Sequence, residues 1–299
     1  MSVVGQESVV HMRESSSSKE GETGAVGWLP MADGQRLLRR DWPQPQARGA
    51  VLIVHGLGEH SGRYARLAAW FNQRGYAVRG YDKRGHGRSP GWRGALRHRD
   101  DLLADLAAVY ADFAAASPQA PLLLGHSMGG LVALRAVLDG AVAPSALVLS
   151  SPALRSWESP RMIRLAAVLS RLAPNLPLRN GLDAGKLSHD PQVAADYLGD
   201  PLRHGWITPR LADFIFGDGA ACIADAARLA LPTLLLVADS DTLVDPAGSR
   251  AFARAATPGG QLTTRFFSML YHELFNEAEP GRSQVLMQLG DWLGRQLRH

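Results

Sequence analysis

The chain has 299 residues, 46% of them hydrophobic and 20% charged, and this length and apolar content allow a single domain with a large buried core. The net charge of +4 comes from lysines and arginines scattered along the chain, without a dense basic run or interleaved aromatics, so nucleic acid is not an expected partner. Cys222 is the only cysteine of the sequence, which excludes an intramolecular disulfide and a thiolate metal cluster, and we expect it to be a buried, small apolar residue.

The N-terminal part of the chain divides into a polar segment and a first hairpin. Residues 1–23 lack the apolar core of a signal peptide, so we interpret them as a disordered N-terminal tail and expect a cytoplasmic protein. No apolar run approaches the length of a membrane span. The segments 27–29 and 37–42 flank Asp33-Gly34, a pattern that predicts an opening antiparallel hairpin.

A buried strand is predicted at residues 51–54, where four apolar residues follow one another. It leads into the loop His-Gly-Leu-Gly-Glu-His at 55–60, whose glycines allow backbone N–H groups to turn inward. We expect the N–H of Leu57 to be one donor of an oxyanion hole, the group of donors that stabilises a developing negative oxygen. An ordinary turn between a strand and a helix is the alternative interpretation.

The following segments continue the alternation of helices and strands, with a helix predicted at 64–74, a strand at 76–81 and a helix at 99–116. The loop between the last two contains the sequence Asp-Lys-Arg-Gly-His-Gly-Arg-Ser. Its glycines permit tight turns, and Asp82 and Arg84 can brace neighbouring loops. We therefore assign this loop to architecture and not to chemistry.

The sequence Gly-His-Ser-Met-Gly at 125–129 lies between a predicted strand, 121–125, and a predicted helix, 128–139. In this context the pattern G-x-S-x-G indicates a nucleophile elbow, because the two glycines let the strand and helix approach while the serine is held with its hydroxyl exposed. We predict that Ser127 is a nucleophile. The N–H of Met128, the next residue, is the expected second oxyanion donor.

After a strand at 146–150 the regular alternation stops until the strand at Leu231. We interpret residues 152–227, which hold an apolar-periodic segment and several Pro and Gly interruptions, as a helical cap inserted over the site. Caps of this kind exclude water and shape the pocket, although a packing subdomain without influence on specificity is the alternative. Four apolar residues are candidate acyl-chain contacts, with ordinary core packing as the competing role: Trp157, Leu165, Leu169 and Ile207.

Three carboxylates follow the predicted strand at 231–238. Asp239 lies directly at the strand end, and Asp241 lies within the loop. Asp245 precedes Pro246, a position typical of a turn or a helix cap. Position in the loop favours Asp241 as the acid that orients a catalytic base, and Asp239 remains open.

The last predicted strand, 263–267, precedes His272, and a helical pattern follows at 283–297. A serine hydroxyl needs a base to remove its proton, and the order serine, carboxylate, histidine is that of enzymes with this elbow. We therefore predict His272 as the base. Three other histidines lie in polar surroundings with no strand beside them and are expected to be solvated: His98, His189 and His204.

These elements predict an α/β fold with a doubly wound, mostly parallel sheet covered on both faces. The expected domains are the tail 1–23, a core formed by 24–151 and 228–299, and the cap 152–227. Sites in such sheets lie at the carboxyl ends of strands, where the glycine loop, the elbow, the acid and the base are all placed.

Six short segments carry a family pattern: 55–61 with Arg63-Tyr64, 82–89, 125–130, 187–191, 200–202 and 271–273. Together they resemble the monoacylglycerol lipase and lysophospholipase-like branch of the α/β-hydrolases, in its bacterial form. The resemblance runs from about Gly24 to the C-terminus. It implies a serine hydrolase of the α/β-hydrolase fold, with Ser127, Asp241 and His272 at the family's triad positions and the backbone N–H groups of Leu57 and Met128 at its oxyanion positions.

The resemblance implies cleavage of monoacylglycerols or related single-chain lipid esters through an acyl-enzyme on Ser127, with no metal or organic cofactor. The alternatives are a general short-chain carboxylesterase, a lysophospholipase, or a non-catalytic binding protein on a hydrolase fold. The expected partner is a small-molecule ester or lipid substrate, together with transient contact between the cap and a membrane surface. The sequence does not indicate an oligomeric state.

Overall fold

The computed structural model describes residues 24–256 and 261–296. The predicted tail, 1–23, lies outside the described residues. Within them, the strands in chain order are β1 (Ala25–Pro30), β2 (Arg36–Trp42), β3 (Gly49–Val54), β4 (Tyr76–Tyr81), β5 (Leu122–His126), β6 (Leu147–Ser150), β7 (Leu178–Arg179), β8 (Trp206–Ile207), β9 (Thr233–Ala238) and β10 (Leu262–Phe267).

Eight of these strands form one sheet in the order β1-β2-β4-β3-β5-β6-β9-β10. The first pair is antiparallel, with Trp28 opposite Leu38, which confirms the predicted hairpin. β2 also runs antiparallel to β4, and all later neighbours are parallel. The central strands β3, β5, β6 and β9 are buried along their whole length, as expected of parallel strands that are covered on both faces.

The helices are α1 (Ala65–Asn72), α2 (Asp101–Ala115), α3 (Met128–Leu138), α4 (Pro160–Leu172), α5 (Pro191–Gly199), α6 (Pro209–Ala224), α7 (Pro246–Ala255) and α8 (Gly281–Gln296). Short 3₁₀ turns lie at Ser61–Tyr64, Ala184–Lys186, Ala226–Arg228 and Leu274–Asn276. The predicted helices of the core are confirmed, with ends that differ by one or two residues because terminal turns fray.

Side chains alternate along the central strands between two apolar cores, one on each face of the sheet. On β3, Leu52 and Val54 belong to one core, whereas Val51 and Ile53 belong to the other. Residues of α2, α3, α6 and α7 complete the first core, and residues of α1 and α8 complete the second. The predicted doubly wound α/β fold is therefore confirmed.

The segment 152–227, predicted to be a helical cap, contains α4, α5, α6 and the two short paired strands β7 and β8. Its helices differ in burial. α4 has no buried residue and packs on α6, whereas α6 buries Leu211, Phe214 and Cys222 in the main core against α3 and α7. Cys222 is thus the buried apolar residue expected from the sequence. Among the described residues, no helix combines the length and hydropathy needed to cross a membrane.

Candidate active site

Ser127 lies at a sharp turn between the end of β5 and the first residue of α3. Its backbone has φ 55° and ψ −123°, a left-handed conformation that a residue with a side chain rarely adopts. The flanking glycines make the turn possible. A Cβ on Gly125 would lie 2.4 Å from the carbonyl oxygen of Gly129, and a Cβ on Gly129 would lie 2.1 Å from that of Val54. The close approach of strand and helix inferred from the sequence is present.

The backbone of Ser127 is also fixed by the next strand. Its N–H donates to the carbonyl oxygen of Ser150 over 2.9 Å, and its own carbonyl oxygen accepts from Ala153 over 3.0 Å. The strained turn is therefore held from both sides by main-chain hydrogen bonds, which keep the serine at the carboxyl end of the sheet.

His272 and Asp241 form a buried pair at the same edge of the sheet. Nδ1 of His272 donates to Oδ2 of Asp241 over 2.6 Å. The other carboxylate oxygen accepts from the N–H groups of Leu243, at 2.8 Å, and Val244, at 3.0 Å. Because Nδ1 carries the proton in this bond, Nε2 is left for a partner in the cavity that His272 lines.

The pair changes the pKa of both its members. Burial alone would raise the pKa of Asp241, but the charge and hydrogen bond of His272 and the two backbone N–H groups hold it below its usual value. Burial alone would lower the pKa of His272, yet Asp241 raises it above its usual value. The carboxylate is therefore ionised at neutral pH, where it can stabilise an imidazolium.

The two other carboxylates of this loop have different partners. Asp239 pairs with Arg250. Asp245 accepts a hydrogen bond from the N–H of Ala247 over 2.9 Å at the start of α7, which confirms the helix cap predicted for it. Among the three candidates, Asp241 is the one that the structure brings to His272.

A cavity of about 470 Å³ brings Ser127 and His272 together with Leu57 and Met128, the expected oxyanion donors. Met128 is the first residue of α3, where backbone N–H groups have no partner within the helix. The loop that carries Leu57 packs closely against Ser127. A Cβ added to Gly56 would lie only 3.3 Å from the Cβ of Ser127.

The cavity wall contains Trp157 and Ile207 but neither Leu165 nor Leu169, so the expectation for those two residues is not met. The reason is that a different face of α4 points to the cavity. Its residue Ile163 faces the cavity, and successive residues turn by about 100°, so Leu165 lies on another face and is 46% exposed. Helical periodicity indicates that a helix has an apolar face but does not say which face covers the cavity.

A buried ionic network, which the sequence analysis missed, joins the loop after β3 that carries Leu57 (the oxyanion loop) to the loop that carries His272 (the base loop). The guanidinium of Arg63 donates to Glu59 over 2.8 Å and to both oxygens of Glu273 over 2.6 and 2.9 Å. Glu59 also accepts from the hydroxyl of Tyr64 over 2.8 Å and from the N–H of Gly56. Burial opposes ionisation, but Arg63 and these donors lower the pKa of Glu59 to about 2.

The only sign of this network in the sequence is that two of its residues lie close to predicted site residues. Glu273 follows the predicted base directly, and Glu59 lies two residues after Leu57. Arg63 and Glu273 are far apart along the chain, so nothing in either local pattern predicts that they pair. The network fixes the distance between the oxyanion loop and the base loop.

Two further histidines near the site are buried. His126 contacts His272 with ring centroids 4.7 Å apart, and burial and this neighbour lower the pKa of His126 to about 4, which keeps it neutral. His204 was predicted to be solvated, and this is wrong. It is buried against His86, with ring centroids 4.4 Å apart, and its backbone N–H donates to the carbonyl oxygen of Gly58 in the oxyanion loop over 2.9 Å. Folding of the segment 152–227 onto the core, which local composition does not report, buries it.

The other two histidines set aside from the sequence differ as well. His98 is exposed, as expected. His189 is also exposed, as expected, but it stacks on Tyr271 with ring centroids 3.7 Å apart and bonds Glu277 through Nδ1 over 2.8 Å. These contacts join the segment before α5 to the loop that carries His272.

The loop after β4, residues 82–89, has the architectural contacts expected of it. Asp82 accepts from the N–H of Ser61 over 2.9 Å and from that of Arg88 over 2.9 Å. Arg84 makes two bonds of 2.6 Å to Asp105. Neither side chain lines the cavity of Ser127.

The sequence and the fold of this chain are similar to those of known proteins. The family model described as Serine aminopeptidase, S33 matches residues 45–279. The chain is 37% identical over 288 residues to a monoacylglycerol lipase of Mycolicibacterium smegmatis, which covers 93% of this chain and 98% of the relative. It is 30% identical over 286 residues to the monoglyceride lipase of Homo sapiens, covering 89% of each. The crystal structure of the Paleococcus ferrophilus monoacylglycerol lipase is similar with a TM-score of 0.79 at 35% identity, covering 87% of this chain and 99% of that one.

Proposed function

Because this chain belongs to the α/β-hydrolase family described as Serine aminopeptidase, S33, we propose that it is a carboxylic ester hydrolase that cleaves monoacylglycerols through an acyl-enzyme on Ser127. The observation that carries the proposal is the hydrogen bond between His272 and Asp241 at the wall of the cavity that also contains Ser127. A strained serine, a buried imidazole and an ionised carboxylate are the groups that nucleophilic ester cleavage requires.

In the first half of the reaction, Nε2 of His272 removes the proton of the Ser127 hydroxyl as its oxygen attacks the ester carbonyl. Asp241 stabilises the imidazolium, and the N–H groups of Leu57 and Met128 donate to the oxyanion. The carbonyl then re-forms, the imidazolium gives its proton to the glycerol oxygen, and glycerol leaves.

In the second half, His272 removes a proton from water, and the resulting hydroxide attacks the acyl-enzyme. The same two N–H groups stabilise the second oxyanion. When the bond to Ser127 breaks, the serine oxygen takes the proton back and the fatty acid leaves. The enzyme returns to its starting state.

The cavity fits a single acyl chain. Its volume of about 470 Å³ lies in the range of small-molecule sites, which is roughly 300–1,000 Å³. Aliphatic side chains from the core and from the segment 152–227 form much of its wall: Leu154, Ile163, Ile207, Ile215, Ile223 and Val244. This distribution supports the roles of Trp157 and Ile207 as acyl-chain contacts and of α4, α5 and the β7–β8 pair as a cap.

We also propose that α4 touches an anionic lipid surface from which substrate enters. The helix has no buried residue and no acidic one, and it carries three exposed arginines: Arg161, Arg164 and Arg171. Beside them is an exposed apolar stripe that includes Leu165 and Leu172, the latter 77% exposed. A basic amphipathic helix of this kind suits the negative cytoplasmic leaflet, which supports a cytoplasmic location.

Trp92 extends this surface beyond the helix. It is 75% exposed and lines a surface pocket with Asn175 and Pro177, just after the end of α4. Tryptophan favours the interface between lipid and water, because its ring is large and apolar and its N–H can remain hydrated.

The proposed function is tested with a series of substrates given to the wild-type protein and to Ser127→Ala. The series contains p-nitrophenyl esters from acetate to palmitate, monoacylglycerols and a lysophospholipid. We expect the highest kcat/KM for monoacylglycerols and no turnover by the variant. Equal rates on all p-nitrophenyl esters without monoacylglycerol cleavage would instead identify a general carboxylesterase, a preference for the lysophospholipid a lysophospholipase, and no turnover at all a binding protein.

A further inference from the structure

Lys83 is a fully buried lysine, 0% exposed, in the loop that follows β4. Its ammonium group donates to the carbonyl oxygen of His55 and, over 3.1 Å, to the carbonyl oxygen of Gly56. A lysine is almost never buried completely, because removing its charge from water is costly. Its two acceptors are the carbonyl groups at the base of the oxyanion loop, directly before Leu57.

The planarity of the peptide bond links this contact to the reaction. The carbonyl oxygen of Gly56 and the N–H of Leu57 belong to one peptide unit, which is planar and trans, so they point in opposite directions. A donor that holds the oxygen behind the loop therefore fixes the direction of the N–H on the other side. Leu57 lines the cavity that contains Ser127.

A second donor to the same oxygen depends on the same residue. The backbone N–H of Lys83 donates to Nε2 of His55 over 3.0 Å, so the proton of this imidazole is on Nδ1. Nδ1 then donates to the carbonyl oxygen of Gly56 over 2.8 Å. The side chain of Lys83 and the ring of His55 thus hold one oxygen together, and only the first contact is removed when the side chain of residue 83 is changed.

We propose that Lys83 is a positioning residue for the ester hydrolysis described above, whose ammonium group holds the Gly56–Leu57 peptide so that the N–H of Leu57 points at the oxyanion. The inference rests on the proposed function, because it needs an oxyanion to form beside Ser127. Lys83 itself does not touch the substrate.

The charges around Lys83 are compatible with this role. Glu59 and Asp82 favour its protonation, whereas burial opposes it more strongly and lowers the pKa of Lys83 to about 7. The three nearby imidazoles, His55, His86 and His204, all have a lowered pKa, and burial is the largest cause. The ammonium and the neutral amine both carry at least two N–H groups, so either form can serve the two carbonyl oxygens.

The test compares Lys83→Met with Arg84→Met. Methionine is long and apolar and removes only the donor. Arg84 is the next residue, but it bonds Asp33, Asp101 and Asp105, away from Leu57, so its loss controls for damage to the loop. For each variant we measure kcat and KM with a p-nitrophenyl ester and the inhibition constant of a trifluoromethyl ketone, to which Ser127 adds to form an oxyanion. Thermal unfolding of each variant is recorded beside the kinetics.

We expect Lys83→Met to lower kcat by about 10- to 100-fold, less than the loss of an oxyanion donor itself, and to leave KM within about twofold. The affinity for the trifluoromethyl ketone falls by the same factor as kcat. Arg84→Met lowers the unfolding temperature but leaves the kinetic constants of the folded protein unchanged. If Lys83→Met does not fold, Lys83→Gln, which keeps an amide donor on a shorter side chain, is expected to lower kcat and ketone affinity in parallel by a smaller factor.

A folded variant at residue 83 with wild-type kcat and ketone affinity would overturn the inference. A loss that appears in KM, or equally in Arg84→Met, would also overturn it, because it would report a structural defect of the loop. The proposed function is tested separately in the same assay: if Ser127→Ala keeps its activity, that proposal fails, whereas an inactive Ser127→Ala with an unaffected residue 83 variant rejects only the inference.

Discussion

The loops around Ser127 and the helix α4 both contribute to the wall of one cavity, but they are built in different ways. Around Ser127, glycines bring backbone atoms into contact and buried ion pairs fix the loops. α4 buries no residue and presents apolar and basic side chains to the outside. The core therefore sets the geometry of the reaction, and we propose that a few exposed side chains set how substrate reaches it. Substitutions in the two regions should therefore have different kinds of effect.

The largest effect is expected from Asp241→Asn, with Asp239→Asn as the matched control. The amide cannot stabilise the imidazolium and favours the wrong tautomer of His272, so we expect kcat to fall by about 10⁴-fold. Asp239 bonds Arg250, and its variant should stay within a few-fold of wild type. Steady-state kinetics on a p-nitrophenyl ester measure both. The reverse ranking would assign the acid to Asp239.

The next effect is expected from Arg63→Met, which leaves Glu59 and Glu273 buried without their cation. Removing one partner of a buried network is expected to lower the free energy of unfolding by about 3–5 kcal/mol. Denaturant unfolding measures this loss. Arg161→Met on α4, where the arginine is exposed, is the control and should change stability little. Equal stability of Arg63→Met and wild type would show that the network does not hold the two loops.

A smaller effect is expected in the dependence of activity on pH. The base must be neutral, and Asp241 raises the pKa of His272 above its usual value. Hence kcat/KM should rise with pH and level off only above the ordinary histidine pKa of about 6.5. A pH profile of the wild-type protein tests this. A midpoint below the ordinary value would mean that burial dominates over Asp241.

The smallest effect on catalysis is expected from a double variant on α4 that carries both Leu165→Asp and Leu172→Asp. Each aspartate removes an apolar contact and adds a charge that anionic lipid repels, so partition onto vesicles of phosphatidylglycerol should fall about tenfold or more. Hydrolysis of p-nitrophenyl acetate in solution should remain unchanged. Met287→Asp on α8, also exposed, is the control. Equal vesicle binding by all three proteins would reject α4 as the lipid-facing surface.

The two regions also differ in how much the sequence predicts. The elbow at Ser127 depends on glycines that are neighbours in the sequence, and the parallel sheet depends on local apolar runs, so both were predicted from local patterns. The cavity-facing side of α4 was not, because Ile163 and Leu165 are equally apolar and only the packing of α4 on α6 distinguishes them. The contact of Arg63 with Glu273 likewise depends on residues distant in the chain.

The burial of Lys83 is also not predictable from the local sequence. In the sequence it is a charged residue in a glycine-rich loop, where a solvated side chain is the usual outcome. Its position is decided by β3 and β4, which are neighbours in the sheet and bring the loops that follow them together. Pairing between strands is not visible from one loop alone.

The central claim is that the oxygen of Ser127 is the activated nucleophile, and labelling with a fluorophosphonate probe tests it most directly. Mass spectrometry of the wild-type protein should show one adduct, located by peptide mapping on Ser127, and none on folded Ser127→Ala. An adduct on a different serine, or a wild-type protein that is folded but not labelled, would contradict the account.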